Sequence, residues 1–205
     1  EDYDHWRQLG NAGWSFEDVL PYFKRAERQE RGPSDLHGAD GPLSVEDLRQ
    51  SHELCEAFIE SCEAVGIPRN DDFNGAEQEG AGYYQLTNRN GRRCSAAVAY
   101  LRPARKRPNL VIATEALATR VLLEGHAAVG VEYRQQGQLR QARAGREVIL
   151  SGGAINSPQL LQLSGIGPAE HLKEHGIAVA HDLPGVGRNL QDHFQARIAY
   201  RCTRP

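Results

Sequence analysis

The stretch Ser151-Gly152-Gly153-Ala154-Ile155-Asn156-Ser157-Pro158-Gln159-Leu160-Leu161-Gln162-Leu163-Ser164-Gly165-Ile166-Gly167 carries the decisive pattern. Before it, Glu147-Val148-Ile149-Leu150 reads as a short apolar strand, buried on both faces by its composition. The strand runs into two glycines. Helical spacing follows from Ser157, with Pro158 suited to a first helical position. Strand, glycine turn and helix start together let a ligand approach backbone closely, and free N–H groups at a helix start favour anions. The pattern therefore allows a phosphate-bearing cofactor at this turn, with a plain tight connection between strand and helix as the simpler reading.

Working outward, residues 177–182 read as a strand, 184–187 as a Gly-rich turn, and a further strand begins near Phe194. A second short helix is expected over 169–175. Upstream, residues 110–114, 118–123, 129–134 and 138–143 read as strands with Gly-bearing turns, a β-meander. The first third is helical. Ser15 caps a helix with Glu17 and Asp18 in its first turn and Pro21 inside it. Ser51 is expected to cap another, whose stripe is Leu54, Cys55, Phe58, Ile59, Cys62 and Val65 before Gly66 stops it. Residues 83–87 read as a strand before a turn at Asn90-Gly91, and Ser95 starts an Ala-rich helix ending near Pro103. The class is mixed α/β. The strand at 147–151 has no neighbour strand in sight, so chain is expected to be missing, as it is from the absence of any Met.

Composition removes several function classes. Hydrophobic residues are 40% and charged residues 25% of 205, ordinary for a globular protein. A net charge of -3 with no basic run argues against nucleic-acid partners. No apolar run approaches the ~18 residues of a membrane helix. Cys55, Cys62, Cys94 and Cys202 form no CxxC pair and no zinc spacing, so they read as reduced structural residues. A cytoplasmic location fits, with a parent protein peripheral to the inner membrane as the alternative.

Gly153–Gly167 resembles the second signature of the glucose–methanol–choline (GMC) oxidoreductases: Gly, a small residue, two free positions, Ser-Pro, two aliphatics, then Ser-Gly-aliphatic-Gly. Other stretches are similar to the family in the same order. They include Tyr3-Asp4-His5-Trp6, His37-Gly38-Ala39-Asp40-Gly41-Pro42, Asp72-Phe73-Asn74-Gly75, Gly91-Arg92-Arg93-Cys94-Ser95 and Gly130-Val131-Glu132. Pro184-Gly185-Val186-Gly187 with Asn189-Leu190-Gln191-Asp192-His193 completes the series. The overall texture is similar to the choline dehydrogenase and bacterial alcohol dehydrogenase branch.

The resemblance implies an FAD-dependent oxidoreductase that takes hydride from an alcohol CH–OH group to the flavin. It also implies an internal fragment. Residues 1–42 and 88–193 would belong to a Rossmann-like FAD-binding domain, and 43–87 and 194–205 to an antiparallel-sheet substrate domain. Ala118 stands where the family often has a Val whose main chain meets the FAD adenine; Ser151 and Gly152 would lie near the ADP half. No catalytic residue is assigned. The family's catalytic His has no counterpart here, His193 included, and the Gly-x-Gly-x-x-Gly fingerprint is absent: Gly185-Val186-Gly187 comes closest but ends on Leu190. The implied partner is a small-molecule alcohol; the electron acceptor, oxygen or quinone, is open. A GMC-like hydroxynitrile lyase and a non-catalytic FAD-binding module are the alternative readings.

The remaining patterns read blandly. His171-Leu172-Lys173-Glu174-His175 has the inverted-zincin order, but Gly176 ends the helix at once and no third ligand stands out. It reads as an exposed helix end, and no metal is expected. Tyr83 and Tyr84 point to opposite faces of a strand, where sheet packing is the simpler role. Arg102, Arg105, Lys106 and Arg107 read as a solvated helix end.

Overall fold

In the structure, a computed structural model describing residues 2–199 and 201, the chain divides into two units between Val111 and Ile112. The architecture is mixed helix and sheet, as the sequence implies.

The first unit opens with α1 (Asp2–Gln8) and α2 (Phe16–Ala26). Ser15 caps α2 as expected, in a full capping box: its hydroxyl accepts from Asp18 N–H, and the Asp18 carboxylate accepts from Ser15 N–H. The hydrogen bonds from the Ser15 side chain and backbone hold the Asp18 carboxyl below its ordinary range. Edge-on aromatic contacts, Tyr3 with Phe23 and Trp6 with Trp14, join the two helices' surroundings. From α2 the chain passes directly into β1 (Glu27–Gln29), which pairs in parallel with β2 (Leu43–Val45). The turn between them fits only with Gly at position 38, because a Cβ there would run into the Lys24 carbonyl.

α3 (Glu53–Ala64) differs from expectation at its start. His52, not Ser51, is the cap, with Nδ1 accepting from Leu54 N–H at 3.2 Å. An imidazole nitrogen there satisfies an orphan donor as a hydroxyl would. Gly66 ends the helix in a left-handed conformation, with Ile67 N–H on the Cys62 carbonyl. Of the predicted stripe only Ile59 is buried; Phe58 is 58% and Val65 77% exposed, and Cys55 is exposed rather than core. The described residues of this unit supply no layer over that face. Cys94 is fully buried; Cys202 lies outside the described residues.

Residues 83–87 do not form the expected strand. Only Leu86 bridges, to Glu46, because the remaining backbone finds no ladder partner. The Asn90-Gly91 turn does form, between β3 (Asn88–Arg89) and β4 (Arg92–Arg93), with both residues at positive φ as a tight hairpin requires. The Ala-rich helix is a π-helical turn, Ala97–Leu101, running into α4 (Arg102–Ala104).

The second unit is built on the meander β5 (Ala116–Glu124), β6 (Ala127–Gln135) and β7 (Gln138–Arg143), antiparallel in the order β5-β6-β7. The strand expected at 110–114 is absent. The apolar run at 147–151 is not a strand either, nor is it buried: Ile149 is 75% exposed. An extended run becomes a strand only when a neighbour takes up its hydrogen bonds, and none does among the described residues.

α5 (Gly153–Leu163) starts earlier than expected, with Gly152 as cap and Pro158 inside the helix. α6 (Ala169–Glu174) forms where predicted. Of residues 177–182 only β9 (His181–Asp182) is strand, parallel to β8 (Ile166–Gly167). The turn at 184–187 is present, and residues 189–199 have no regular structure; the strand expected near Phe194 does not form, and Phe194 is 94% exposed.

Candidate cofactor-binding site

The decisive stretch gives α5 an open amino end. Gly152 offers no side-chain cap, and residues 151–156 are exposed. Gly152 N–H donates to Ser157 Oγ at 2.9 Å, which turns the chain into the helix. The N–H groups of Gly153, Ala154 and Ile155 are first-turn donors without an intrahelical acceptor. A Cβ on Gly152 would sit 3.1 Å from the Asn156 Cβ and 3.3 Å from the Ser157 nitrogen, so a larger residue would crowd this mouth. Gly153 takes φ 86, a conformation costly to any other residue. Uncapped donors, partial positive charge and no obstructing side chain suit an anionic group.

Ala118 lies on β5, half-buried, opposite Tyr133 on β6. The ladder slips between Ala118 and Arg120, making Thr119 a bulge residue. Its hydroxyl oxygen lies 3.0 Å from the Glu132 carboxylate and 3.2 Å from the Glu132 main-chain oxygen. Arg120 Nη2 donates to the same carboxylate at 3.0 Å. The hydrogen bond from Arg120, then that from Thr119, holds the Glu132 carboxyl below its ordinary range. Glu132 thus fixes the bulge beside Ala118.

The structure sets Ser151 and Gly152 side by side at the start of α5, but it fastens β5 to the other end of that helix. Val121 N–H donates to Ser164 Oγ at 2.8 Å, and Ser164 Oγ donates to the Leu160 carbonyl at 2.6 Å. No hydrogen bond joins Ala118 to Ser151 or Gly152 among the described residues. A cleft of about 560 Å³ opens beside this junction, lined by Arg120, Val121, Arg143, Leu163, Ser164 and Ala178 among others.

Sequence reasoning missed Glu132, Ser164 and Gln162. Gln162 Nε2 donates to the Val186 carbonyl at 3.1 Å and so holds the turn at 184–187 against α5. Their signal was present, since each falls in or beside a family-like motif, but polar residues in strands and at helix ends carry no periodicity that marks them. His193 is exposed, with its N–H on the Asp192 carboxylate at 2.8 Å.

In the first unit the buried imidazole of His37 lies between two carboxylates. Nδ1 is 2.9 Å from both Glu27 oxygens and Nε2 is 3.0 Å from Asp72 Oδ2. Both ring nitrogens can donate only when the ring is protonated. Burial pulls its pKa down, but the hydrogen bonds and charges of Glu27 and Asp72 together outweigh that and hold it above the ordinary histidine range. This clamp joins the end of α2 to the 70s loop.

A profile of the GMC oxidoreductase family matches residues 1–195. The mitochondrial choline dehydrogenase of Homo sapiens is 53% identical over 205 residues, all of this chain and 34% of that protein. The oxygen-dependent choline dehydrogenase of Brucella ovis is 50% identical over 204 residues, covering 37% of its length. Among solved structures, an FAD-dependent oxidoreductase from Chaetomium thermophilum superposes with a TM-score of 0.82 at 31% identity, over 90% of this chain and 34% of the other. The chain thus spans about a third of the length of the curated relatives it matches.

Proposed function

The chain belongs to the GMC oxidoreductase family, and from that premise we propose that the protein containing it is an FAD-dependent alcohol oxidoreductase of the choline dehydrogenase type. The observation that carries this reading is the 53% identity to a choline dehydrogenase over all 205 residues of the chain.

The residues present fit FAD. The uncapped N–H groups of Gly153, Ala154 and Ile155 would receive the negative charge of its ADP half, with Ser151 and Gly152 forming the mouth. Ala118 would offer main chain at the bulge to the adenine, with the Thr119–Glu132–Arg120 contacts keeping that backbone in place. When bound, FAD supplies a two-electron acceptor for hydride from the alcohol carbon. This chain's own residues position and bind; none is assigned as the base that takes the hydroxyl proton. Residues 1–42 and 88–193 would serve the cofactor, and 43–87 and 194–205 the substrate side.

Choline is the first substrate to try, on the strength of the relatives' names. The full-length protein, purified with FAD, is assayed against choline and simple primary alcohols with an artificial electron acceptor. Aldehyde formation that requires bound flavin supports the proposal. Bound flavin with no turnover on any alcohol would favour a lyase or a non-catalytic flavin module instead.

A further inference from the structure

The end of α6 holds donor groups that the redox reading does not use. Gly176 closes the helix with φ 68, and Ile177 N–H donates to the Leu172 carbonyl at 2.9 Å. Leu172 is fully buried, which fixes the helix's rotation and leaves His171, Glu174 and His175 on the exposed side. One ring nitrogen from each histidine and one carboxylate oxygen of Glu174 lie within 4.8 Å of one another. The two rings stand with centroids 4.5 Å apart.

The surroundings suit a cation. His175 Nδ1 lies 2.9 Å from the His171 carbonyl. Donating there places the ring's lone pair on Nε2 and sets its orientation, as carbonyls do for ligating histidines. Lys173 is held by Glu170 at 2.8 Å, away from the Glu174 carboxylate. The side chains of His171 and Glu174 make no hydrogen bond or ion pair among the described residues, so their lone pairs are unspent. The carbonyl end of the helix adds partial negative charge. Glu174 is the third donor that the sequence pattern alone did not identify.

The geometry points to a binding site for one divalent late-transition-metal ion at His171, Glu174 and His175, zinc first, with water completing the coordination. Two imidazoles and one carboxylate match the ligand preferences of zinc and copper, and suit magnesium and calcium, which take oxygen donors, poorly. Bound metal would staple the last turn of α6. The site is independent of the flavin chemistry.

The test uses the full-length protein, stripped with chelator and titrated with zinc sulfate in a calorimeter, beside the His171→Ala/His175→Ala double variant. The expected result is one more zinc equivalent in the parent than in the variant, with Glu174→Ala binding that equivalent more weakly. A zinc-dependent rise in thermal midpoint, seen in the parent and lost in the double variant, is the second expected readout. Equal zinc stoichiometry in parent and double variant overturns the proposal.

Discussion

Replacing His37 by Gln should loosen the join between α2 and the loop that carries Asp72. The wild-type imidazolium makes charge-assisted contacts to Glu27 at 2.9 Å and Asp72 at 3.0 Å. The side chains of His37 and Glu27 are 9% and 18% exposed, so that contact stands near the upper end for a charged hydrogen bond, about 3 kcal/mol. The Asp72 side chain is 36% exposed, and solvent screening reduces its contact to about 1 kcal/mol. A Gln amide recovers about 1 kcal/mol from one carboxylate, leaving a loss of about 3 kcal/mol. That loss raises the equilibrium population of the locally open form on the order of a hundredfold. Hydrogen exchange by mass spectrometry on the full-length protein reads it directly, in a peptide spanning residues 27–41. There Gln29 N–H bonds to the Gly38 carbonyl at 2.9 Å, and Gly41 N–H to the Glu27 carbonyl at 2.8 Å.

The same clamp gives a pH dependence of known sign. The folded protein holds the His37 proton more tightly than the unfolded chain. Its contribution is therefore fully present below about pH 6.5, the unfolded histidine value, and is lost as pH rises through the raised folded value. After correction for intrinsic exchange, protection of this segment should fall with rising pH in the parent and stay flat in His37→Gln. Equal protection and equal slopes in the two proteins would refute the reasoning.

Ser164→Ala removes the acceptor of Val121 N–H, costing about 1–2 kcal/mol, and should lower the thermal midpoint of the flavin-free protein. Leu172→Ala empties a fully buried site at the base of α6; a loss of about 2–5 kcal/mol is expected from denaturant unfolding. Gly152→Val should weaken FAD retention on dialysis while leaving the far-ultraviolet circular dichroism unchanged, because its Cβ already meets Asn156 and its branches would fill the mouth of α5. The 205-residue chain expressed alone should show no alcohol turnover, since no residue in it is assigned as the base; any turnover with choline and an artificial acceptor would count against the site assignment.

Some features set by neighbours a few residues apart were legible in the sequence, though the His52 cap of α3 was not. Ser15 marks the cap of α2, though not its reciprocal bond with Asp18, and the turn at Asn90-Gly91 needs only its own backbone. The meander was legible through its turn residues. Features that depend on a distant partner were not. Residues 147–151 have strand composition but no ladder neighbour in the described chain, and 177–182 keep only the two residues that reach Ile166–Gly167. Pro158 looked like a helix start because its missing N–H suits one; the Gly152–Ser157 bond begins the helix sooner. The His37 clamp was hidden because Glu27 and Asp72 lie 10 and 35 residues from it in sequence. At the candidate cofactor site, the glycine turn before α5 was visible from the motif, whereas Glu132 and Ser164 matter only through contacts across the fold.

The most direct test of the central claim is anaerobic mixing of the purified, FAD-loaded full-length protein with choline while the visible flavin spectrum is followed. The account predicts bleaching to reduced flavin with stoichiometric aldehyde. A flavin spectrum unchanged by choline and by every other alcohol tried would contradict it.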